Sequence, residues 1–246
     1  MVGRGLAQDG YAVFARAPGV VQWAEAARAI GLDLLAQGGE RRHGATWFVG
    51  VDAFPNAPDG SINGVPLAGA WLGQVEAPQV WHKAQLSVVF SGYPQQDVGE
   101  SDAAHRFRRN RDAAHVDGLL PIGPDRRRYL REPHGFIAGL PLDDCRASPL
   151  VVWRRSHRMM RAAFRQAFLN MPPRAWADED VTDVYQSTRR MIFEQCERVE
   201  LAASPGQVIL LDRHLLHGVA PWAAHAVGDM RMMAYFRPQV EMARWL

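Results

Sequence analysis

The stretch Ser204–Gly218, "SPGQVILLDRHLLHG", combines a turn, an apolar strand and two histidines. Its Ser-Pro-Gly start is typical of a turn, and the run "VILLD" has the length and the β-branched, apolar content of a buried strand. This strand leads into a second turn, which presents His214 and His217. A short strand between two turns is the usual unit of antiparallel β-structure.

The same unit recurs along the chain. Further strands are expected in five segments: "AQLSVVFSGYP" (84–94), "HGFIAGLPLDD" (134–144), "PLVVWRRSH" (149–157), "ERVELAA" (197–203) and "MRMMAYFRPQV" (230–240). Helices are too few to alternate with these strands, and no glycine-rich phosphate loop follows a strand. The pattern therefore favours a mainly β fold with flanking α-helices, a sandwich or jelly roll, over a parallel α/β sheet.

Helical spacing of apolar residues appears in two regions of a single expected domain, 1–246. Residues 20–37 predict an N-terminal supporting helix, within about 17–40. A helical insert is expected at about 156–197, between two strands, where it either packs against the barrel wall or forms a lid. The polar segment 95–114 reads as a surface loop.

Composition excludes several classes of protein. The 246 residues carry a net charge of +2, and their basic residues are dispersed, which argues against nucleic-acid binding. No apolar run is long enough for a membrane span, and the N-terminal residues lack the apolar core of a signal peptide. Cys145 and Cys196 have no metal-binding or disulfide spacing. We expect a reduced, cytoplasmic enzyme.

The segment "HVD" gains its meaning from the histidines of the opening stretch. Alone, a His-x-Asp pair arises by chance in a chain of this composition. On a strand, however, His115 and Asp117 point to the same face and can bind one ion together. A further imidazole from a neighbouring strand, either His217 or His214, completes a site of two histidines and one carboxylate. Such a site holds non-haem Fe(II) and leaves positions open for ligands.

Six segments, in this order, resemble the phytanoyl-CoA dioxygenase group of Fe(II)- and 2-oxoglutarate-dependent oxygenases. They cover nearly the whole chain: "QDGYAVF", "HVD", "GLPLDD", "PLVVWRRSHRMM", "SPGQVILLDRHLLHG" and "DMRMMAYF". The resemblance implies a double-stranded β-helix, that is, a cupin-like jelly-roll barrel. One departure is "RRSH", which stands where the group usually has Pro-Gly-Ser-His, so the loop before Ser156 is expected to differ in shape.

The resemblance also implies roles for individual residues. His115, Asp117 and His217 become the iron ligands, the last because it directly precedes glycine. Arg231 becomes the partner of the distal carboxylate of 2-oxoglutarate, which needs a permanently charged, forked donor. Arg237 has the same strand parity and is its rival. Arg231 is preferred because it is expected nearer the metal end of the strand.

Two further residues are candidates for contact with 2-oxoglutarate or the substrate. Lys83 and Gln85 share parity on the strand that leads toward the metal loop. His134 is a weaker candidate for contact with the substrate.

The expected reaction is hydroxylation of a small molecule by O2, with release of succinate and CO2. Asp117 decides this chemistry, because a small residue there would leave room for chloride and indicate a halogenase. Two alternatives stay open. One is a cupin-like metalloenzyme that does not use 2-oxoglutarate, and the other is a non-catalytic jelly-roll module that only binds a ligand.

Overall fold

Antiparallel β-strands form the body of the protein in a computed structural model, which describes residues 3–246. The strands are β1 (Tyr11–Phe14), β2 (Arg41–Arg42), β3 (Trp47–Gly50), β4 (Gln85–Phe90), β5 (Leu119–Ile122), β6 (Arg127–Leu130), β7 (Phe136–Pro141), β8 (Leu150–Trp153), β9 (Arg198–Leu201), β10 (Val208–Asp212), β11 (His217–Val219) and β12 (Met230–Phe236). The α-helices are α1 (Gly3–Asp9), α2 (Pro18–Ala36), α3 (Asp102–Asn110), α4 (Ser156–Ala167) and α5 (Thr182–Gln195). Short 3-10 helices lie at Ala70–Gln74, Pro173–Asp178 and Met242–Arg244.

The strands are arranged in two main sheets and a hairpin. The larger sheet has seven strands in the order β1-β10-β7-β12-β4-β3-β2, the smaller sheet has the order β11-β8-β9, and β5 pairs with β6. All pairs are antiparallel. The expected mainly β, jelly-roll fold is confirmed.

Alternating side chains of the larger sheet serve two different apolar clusters. On β10, Ile209 and Leu211 face the interior between the sheets, whereas Leu210 packs on the outer side toward α2. The same alternation places Met233 inside and Met232 outside on β12. Because residues two apart share a face, the inner face of these strands can carry a site while the outer face builds the core.

Helix α2 covers the outer face of the larger sheet, as the helical spacing at 20–37 predicts. Proline at its first turn supplies a backbone angle that suits a helix start. Trp23 is fully buried and contacts Phe236, with the ring centroids 5.6 Å apart. Gly31 lets the helix approach the sheet, since a Cβ there would lie 3.0 Å from the sulfur of Met232.

Helices α4 and α5 cover the outer face of the smaller sheet. Met160, Phe164 and Ile192 are buried in one cluster with Val151 and Trp153 of β8. The helical insert therefore packs against the outside of the barrel wall, and none of its residues lines the cleft described below.

The expected loop at 95–114 is in part a helix. The Ser101 hydroxyl caps α3 by accepting a hydrogen bond from the Ala104 N–H at 3.2 Å. Asp102 in its first turn and arginines in its last turn suit the helix dipole. No residue of α3 is buried, so the segment lacks the apolar stripe by which a helix is found in a sequence. Among the described residues, no helix is long and apolar enough to cross a membrane.

Candidate metal centre

The two sequence segments that carry the predicted ligands meet through their backbones. The His115 N–H donates to the His217 carbonyl at 2.8 Å, and the His217 N–H donates to the His115 carbonyl at 3.0 Å. This pairing is a single bridge rather than the strand expected at 115–117. Glycines directly after Asp117 and His217 let the backbone pass close to neighbouring segments. A Cβ at Gly118, whose φ is +83°, would lie 2.0 Å from the Glu132 carbonyl oxygen, and one at Gly218 would lie 2.1 Å from that of Asp112.

The side chains of His115, Asp117 and His217 converge. Asp117 Oδ1 lies 3.1 Å from His115 Nε2 and 3.7 Å from His217 Nε2. Candidate ligand atoms of the three residues all lie within 4.8 Å of one another. Asp117 and His217 are buried, whereas the His115 side chain is about half exposed, so the cluster opens on the His115 side.

Hydrogen bonds at the far side of both imidazoles orient them toward Asp117. His115 Nδ1 lies 3.0 Å from the Ala113 carbonyl oxygen, and His217 Nδ1 lies 2.9 Å from that of Leu215. A neutral imidazole donates its Nδ1–H to such a carbonyl, which leaves the Nε2 lone pair free. Both Nε2 atoms and the Asp117 carboxylate are then acceptors that face one point. A cation at that point satisfies all three.

Charge states in this cluster suit a metal ion. Burial lowers the pKa of His217 to about 4, so its imidazole is neutral near pH 7. Burial also raises the pKa of Asp117, but its contacts with His115, His217 and Arg237 outweigh that effect and hold the pKa well below its usual range. Two imidazoles and one ionised carboxylate form a ligand set that suits non-haem Fe(II).

A cleft of about 100 Å³ adjoins the cluster inside the barrel. We call it the triad cleft. Its polar lining residues besides the cluster are Trp47, Gln85, Ser87, Tyr235 and Arg237, and its apolar ones are Ile137, Leu150, Leu211 and Val219. Ser87 Oγ accepts a hydrogen bond from Trp47 Nε1 at 2.9 Å, whereas the buried Tyr235 hydroxyl has no partner among the described residues.

Of the predicted pair Lys83 and Gln85, the structure brings only Gln85 to the triad cleft. Strand β4 begins at Gln85, which is buried. Lys83 lies before the strand and is exposed, so equal parity does not give the two residues a common face. The reason is local: the Ala84 N–H donates to Asn56 Oδ1 at 2.8 Å and fixes the chain before the sheet begins. The expectation for Lys83 is corrected accordingly.

The two candidate arginines lie at opposite ends of β12. Arg237 Nη1 lies 3.5 Å from Asp117 Oδ2, so the C-terminal end of the strand is the metal end. The expectation that Arg231 is the nearer of the two is wrong. Arg231 is buried, with 4 % of its surface exposed, and lines a second, narrow cavity of about 10 Å³, the Arg231 cavity. Its Nη1 has no hydrogen-bond partner among the described residues.

The two cavities occupy consecutive layers of the barrel interior. On β12, Met233 lines the Arg231 cavity and Tyr235 lines the triad cleft, and on β10 the corresponding residues are Ile209 and Leu211. Arg231 is two positions from Met233 and four from Tyr235, so it lies two layers, or roughly 13 Å along the strand, from the residues beside the cluster.

The other histidines singled out in the sequence lie elsewhere. His214 is fully buried among the outer helices, where its ring contacts Trp245 at a centroid distance of 4.5 Å. His157 is buried with Nε2 3.4 Å from the Ala7 carbonyl oxygen. His134 is nearer: its Nδ1 lies 2.9 Å from the Arg237 carbonyl oxygen. His82, for which the sequence offers no signal, accepts a hydrogen bond from the Arg237 N–H at 2.7 Å.

The unusual "RRSH" segment keeps a glycine-like backbone. Arg155 has φ +68° and ψ 0°, in the left-handed region, where the group's pattern has glycine. Ser156 is fully buried, and its hydroxyl accepts a hydrogen bond from the Leu216 N–H at 2.9 Å. This contact holds the residue next to His217. The start of α4 thereby helps to fix the position of the histidine.

No protein-family model matches the chain, and no curated protein matches it in sequence. Solved structures do. The non-heme alpha-ketoglutarate-dependent carbocyclase SnoK from nogalamycin biosynthesis shares 13% identity and a TM-score of 0.53 over 96% of this chain and 82% of its own. The epimerase SnoN, in complex with Fe3+, alpha-ketoglutarate and nogalamycin RO, has 17% identity and a TM-score of 0.49 over 96% and 82% of the two chains. EctD from S. alaskensis with bound Fe has 15% identity and a TM-score of 0.46 over 95% and 74%. The likeness to SnoK shows that the chain has the same overall fold.

Proposed function

We propose that the protein is an Fe(II)- and 2-oxoglutarate-dependent dioxygenase of the phytanoyl-CoA dioxygenase type, which hydroxylates a small molecule. The observation that carries this proposal is the convergence of three acceptor side chains, His115, Asp117 and His217, in a barrel whose interior also holds a buried arginine, Arg231, with an unpartnered Nη1. The alpha-ketoglutarate-dependent carbocyclase SnoK has the same overall fold, which supports the proposal by analogy only.

The cluster would hold the metal on one side only. Two imidazoles and a carboxylate leave further positions of Fe(II) open. The open positions would lie on the side of the triad cleft, because all three side chains line that cleft. The protein's contribution is to keep both Nε2 lone pairs and the Asp117 charge aimed at one point before the metal arrives.

Arg231 suits the distal carboxylate of 2-oxoglutarate. An arginine stays charged when buried, and its fork matches a carboxylate. Arg231, Met233 and Tyr235 share one face of β12, with Arg231 four positions, or roughly 13 Å, from Tyr235. The Tyr235 hydroxyl lies on the same face of β12 and supplies a second unpartnered donor. Met233 lies between Arg231 and Tyr235 on this face of β12, and its unbranched side chain can adapt to a ligand.

Iron(II) and 2-oxoglutarate together supply the oxidation of a substrate C–H bond by O2, with decarboxylation of 2-oxoglutarate to succinate. The chain's own residues bind and orient. Gln85 lies opposite Tyr235 in the sheet, so an amide and a hydroxyl flank the entry to the deeper layer. The apolar side chains of Ile137, Leu150 and Val219 provide a dry surface beside the cluster.

The test is turnover without a substrate. Protein supplied with Fe(II), 2-oxoglutarate, O2 and ascorbate, which reduces the second oxygen atom to water, should form succinate and CO2 in equal amounts, at a slow rate. His217→Ala should abolish this turnover, and His214→Gln, the matched control, should retain it. Arg231→Gln should raise the KM for 2-oxoglutarate by about tenfold or more, because a charge-assisted hydrogen bond is lost.

The alternatives predict different results. A cupin-like metalloenzyme would bind metal through the same cluster without consuming 2-oxoglutarate. A non-catalytic binding module would bind 2-oxoglutarate without forming succinate.

A further inference from the structure

A second cleft adjoins the triad cleft, and Arg237 lines both. This neighbouring cleft has a volume of about 360 Å³, and its charged and imidazole lining residues are Asp52, His82, Glu132, His134 and Arg237. We call it the outer cleft. Arg237 therefore stands between the candidate metal centre and the larger of the two spaces.

Two histidines of the outer cleft fix the backbone of Arg237. The His82 Nε2 accepts from the Arg237 N–H at 2.7 Å, and His134 Nδ1 lies 2.9 Å from the Arg237 carbonyl oxygen. The guanidinium itself is largely free. Among the described residues, its one polar contact is Nη1 with Asp117 Oδ2 at 3.5 Å, and 23% of the side chain is exposed. A forked cation is thus held in place with most of its donors available.

The carboxylates of the outer cleft lie beside histidines rather than beside the Arg237 guanidinium. Asp52 lies 3.5 Å from His82 Nδ1 and Glu132 lies 3.3 Å from His134 Nε2, and among the described residues neither forms an ion pair with Arg237. Arg237 shares Asp117 with the candidate metal site. A divalent ion on Asp117 would compete for that charge and would itself repel the guanidinium.

The rim of the outer cleft is apolar. Val51 and Val80 are 57% and 63% exposed, and Pro78 and Pro238 line the same space. An exposed apolar surface beside a buried cluster of polar groups is typical of a ligand cleft. The complementary ligand has an apolar body and one negative end.

We propose that Arg237 is the anchor for an anionic group of the substrate, and that the substrate is a small organic carboxylate with an apolar body. The carboxylate pairs with the guanidinium, the apolar body lies against Val51 and Val80, and the carbon chain passes the open side of the metal centre. This inference rests on the proposed function only in treating the outer cleft as the substrate's path.

Hexanoate is the probe, and hexan-1-ol is its neutral counterpart. Binding to the Zn(II)-loaded protein, without 2-oxoglutarate, is measured by ligand-observed NMR. Hexanoate should bind about tenfold or more tightly than hexan-1-ol, as expected for a charge-assisted pair. Arg237→Gln should remove that difference, and Arg237→Lys should restore part of it. Arg131→Gln, the control, changes an exposed arginine that lines neither cleft.

Three results would overturn the inference: absence of hexanoate binding, equal binding of the acid and the alcohol to the unmodified protein, or an unchanged hexanoate affinity in Arg237→Gln. The comparison of acid with alcohol needs no variant, so it holds even where Arg237→Gln fails to fold. A further measurement distinguishes the role of Arg237 from that of Arg231. Arg237→Gln should change the concentration of 2-oxoglutarate needed to saturate the iron-loaded protein by less than threefold. A loss as large as that in Arg231→Gln would make Arg237 the partner of 2-oxoglutarate instead.

Failure of the proposed function gives a different signature. If hexanoate binding depends on Arg237 but the protein never consumes 2-oxoglutarate, the role of Arg237 as an anion anchor stands and the proposed dioxygenase activity is wrong.

Discussion

Asp117 is the residue on which the candidate metal centre depends. Its carboxylate faces both imidazoles and Arg237, and it stays charged although it is buried. A buried carboxylate is costly unless partners compensate it. In this protein the partners that compensate Asp117 are the two other proposed metal ligands and Arg237. The surroundings of Asp117 therefore suit a metal ligand.

Loss of a residue that hydrogen-bonds to a metal ligand typically lowers metal affinity by about 10–100-fold. Replacement of Asp117 by alanine should lower the affinity for Fe(II) or Zn(II) by more than this, because it removes a ligand itself. Competition with a chromophoric chelator measures this affinity. Asp125→Ala, at an exposed position of the β5–β6 hairpin, is the control. An unchanged affinity in Asp117→Ala would show that the metal binds elsewhere.

Arg155 carries backbone strain that its side chain offsets only in part. A left-handed conformation costs a non-glycine residue about 1–2 kcal/mol. Its ion pair with Asp9, at 3.3 Å, is half exposed and contributes at most about 1 kcal/mol. Arg155→Gly should therefore be more stable than Arg155→Ala by about 1 kcal/mol, since both lose the ion pair and only alanine keeps the strain. Urea unfolding of the two variants decides this, and equal stabilities would contradict it.

The sequence could predict side chains that belong to short motifs. The pair His115 and Asp117 follows from its spacing together with the later histidines, the choice of His217 follows from the family resemblance, and the structure brings the three side chains together. Trp47, His82 and Tyr235 were missed because Trp47 and His82 reach the clefts from segments that carry no motif, and because Tyr235 differs from a core tyrosine only by its surroundings. The expectation for Lys83 failed because parity has meaning only after a strand has begun.

At the scale of elements, β12 carries the proposed ligand partners, and Asp143 holds it in place. Asp143 Oδ2 accepts from the Met232 N–H at 2.7 Å, and Oδ1 accepts from the Cys145 N–H at 3.1 Å. The second carboxylate of the "LDD" segment, on Asp144, is exposed. Asp143 thus joins the turn after β7 to the strand position next to Arg231.

Asp143→Ala should cost about 1–3 kcal/mol of unfolding free energy, because two backbone donors lose a charged acceptor. It should also weaken 2-oxoglutarate binding more than iron binding, since Arg231 is the nearer group. Asp144→Ala is the matched control and should change neither property. An Asp143→Ala protein that loses iron and 2-oxoglutarate equally would place the effect on the whole barrel instead.

For β12 the sequence predicts the strand and its inward face, but not which end of the strand lies at the metal centre. Alternation correctly placed Arg231, Met233, Tyr235 and Arg237 on one face. Which end of that face meets the metal centre depends on the pairing of β12 with β4 and β7, which lie far away in the sequence. The preferred end was therefore wrong, although the strand was right.

At the scale of the whole molecule, helices cover the outer faces of both sheets and leave the interior for cavities. The mainly β fold was predictable because its strands are short, apolar and separated by strong turn signals. Helix α3 and the β5–β6 hairpin were not, because their exposed, arginine-rich residues carry no apolar period.

His214, in the outer helical layer, should make the stability of the fold depend on pH. Burial lowers its pKa to about 4, whereas an unfolded histidine titrates near the ordinary 6.5. Between these values the unfolded chain binds a proton that the folded protein does not, so stability falls as the pH falls from 6.5 to 4, by about 3 kcal/mol in total. Urea unfolding across this range should show a shallower fall in His214→Gln. His225→Gln, at an exposed position, should follow the unmodified protein, and a parallel fall in His214→Gln would contradict the assignment.

We propose that one barrel interior holds iron at the His115, Asp117 and His217 cluster and 2-oxoglutarate between that cluster and Arg231. The measurement to make is an anaerobic titration of the metal-free protein with Fe(II) and then with 2-oxoglutarate, followed in the visible spectrum. We expect a weak charge-transfer band that requires both components, is absent in Asp117→Ala, and needs about tenfold or more 2-oxoglutarate in Arg231→Gln. Iron binding without that band, or no iron binding at all, would contradict the claim.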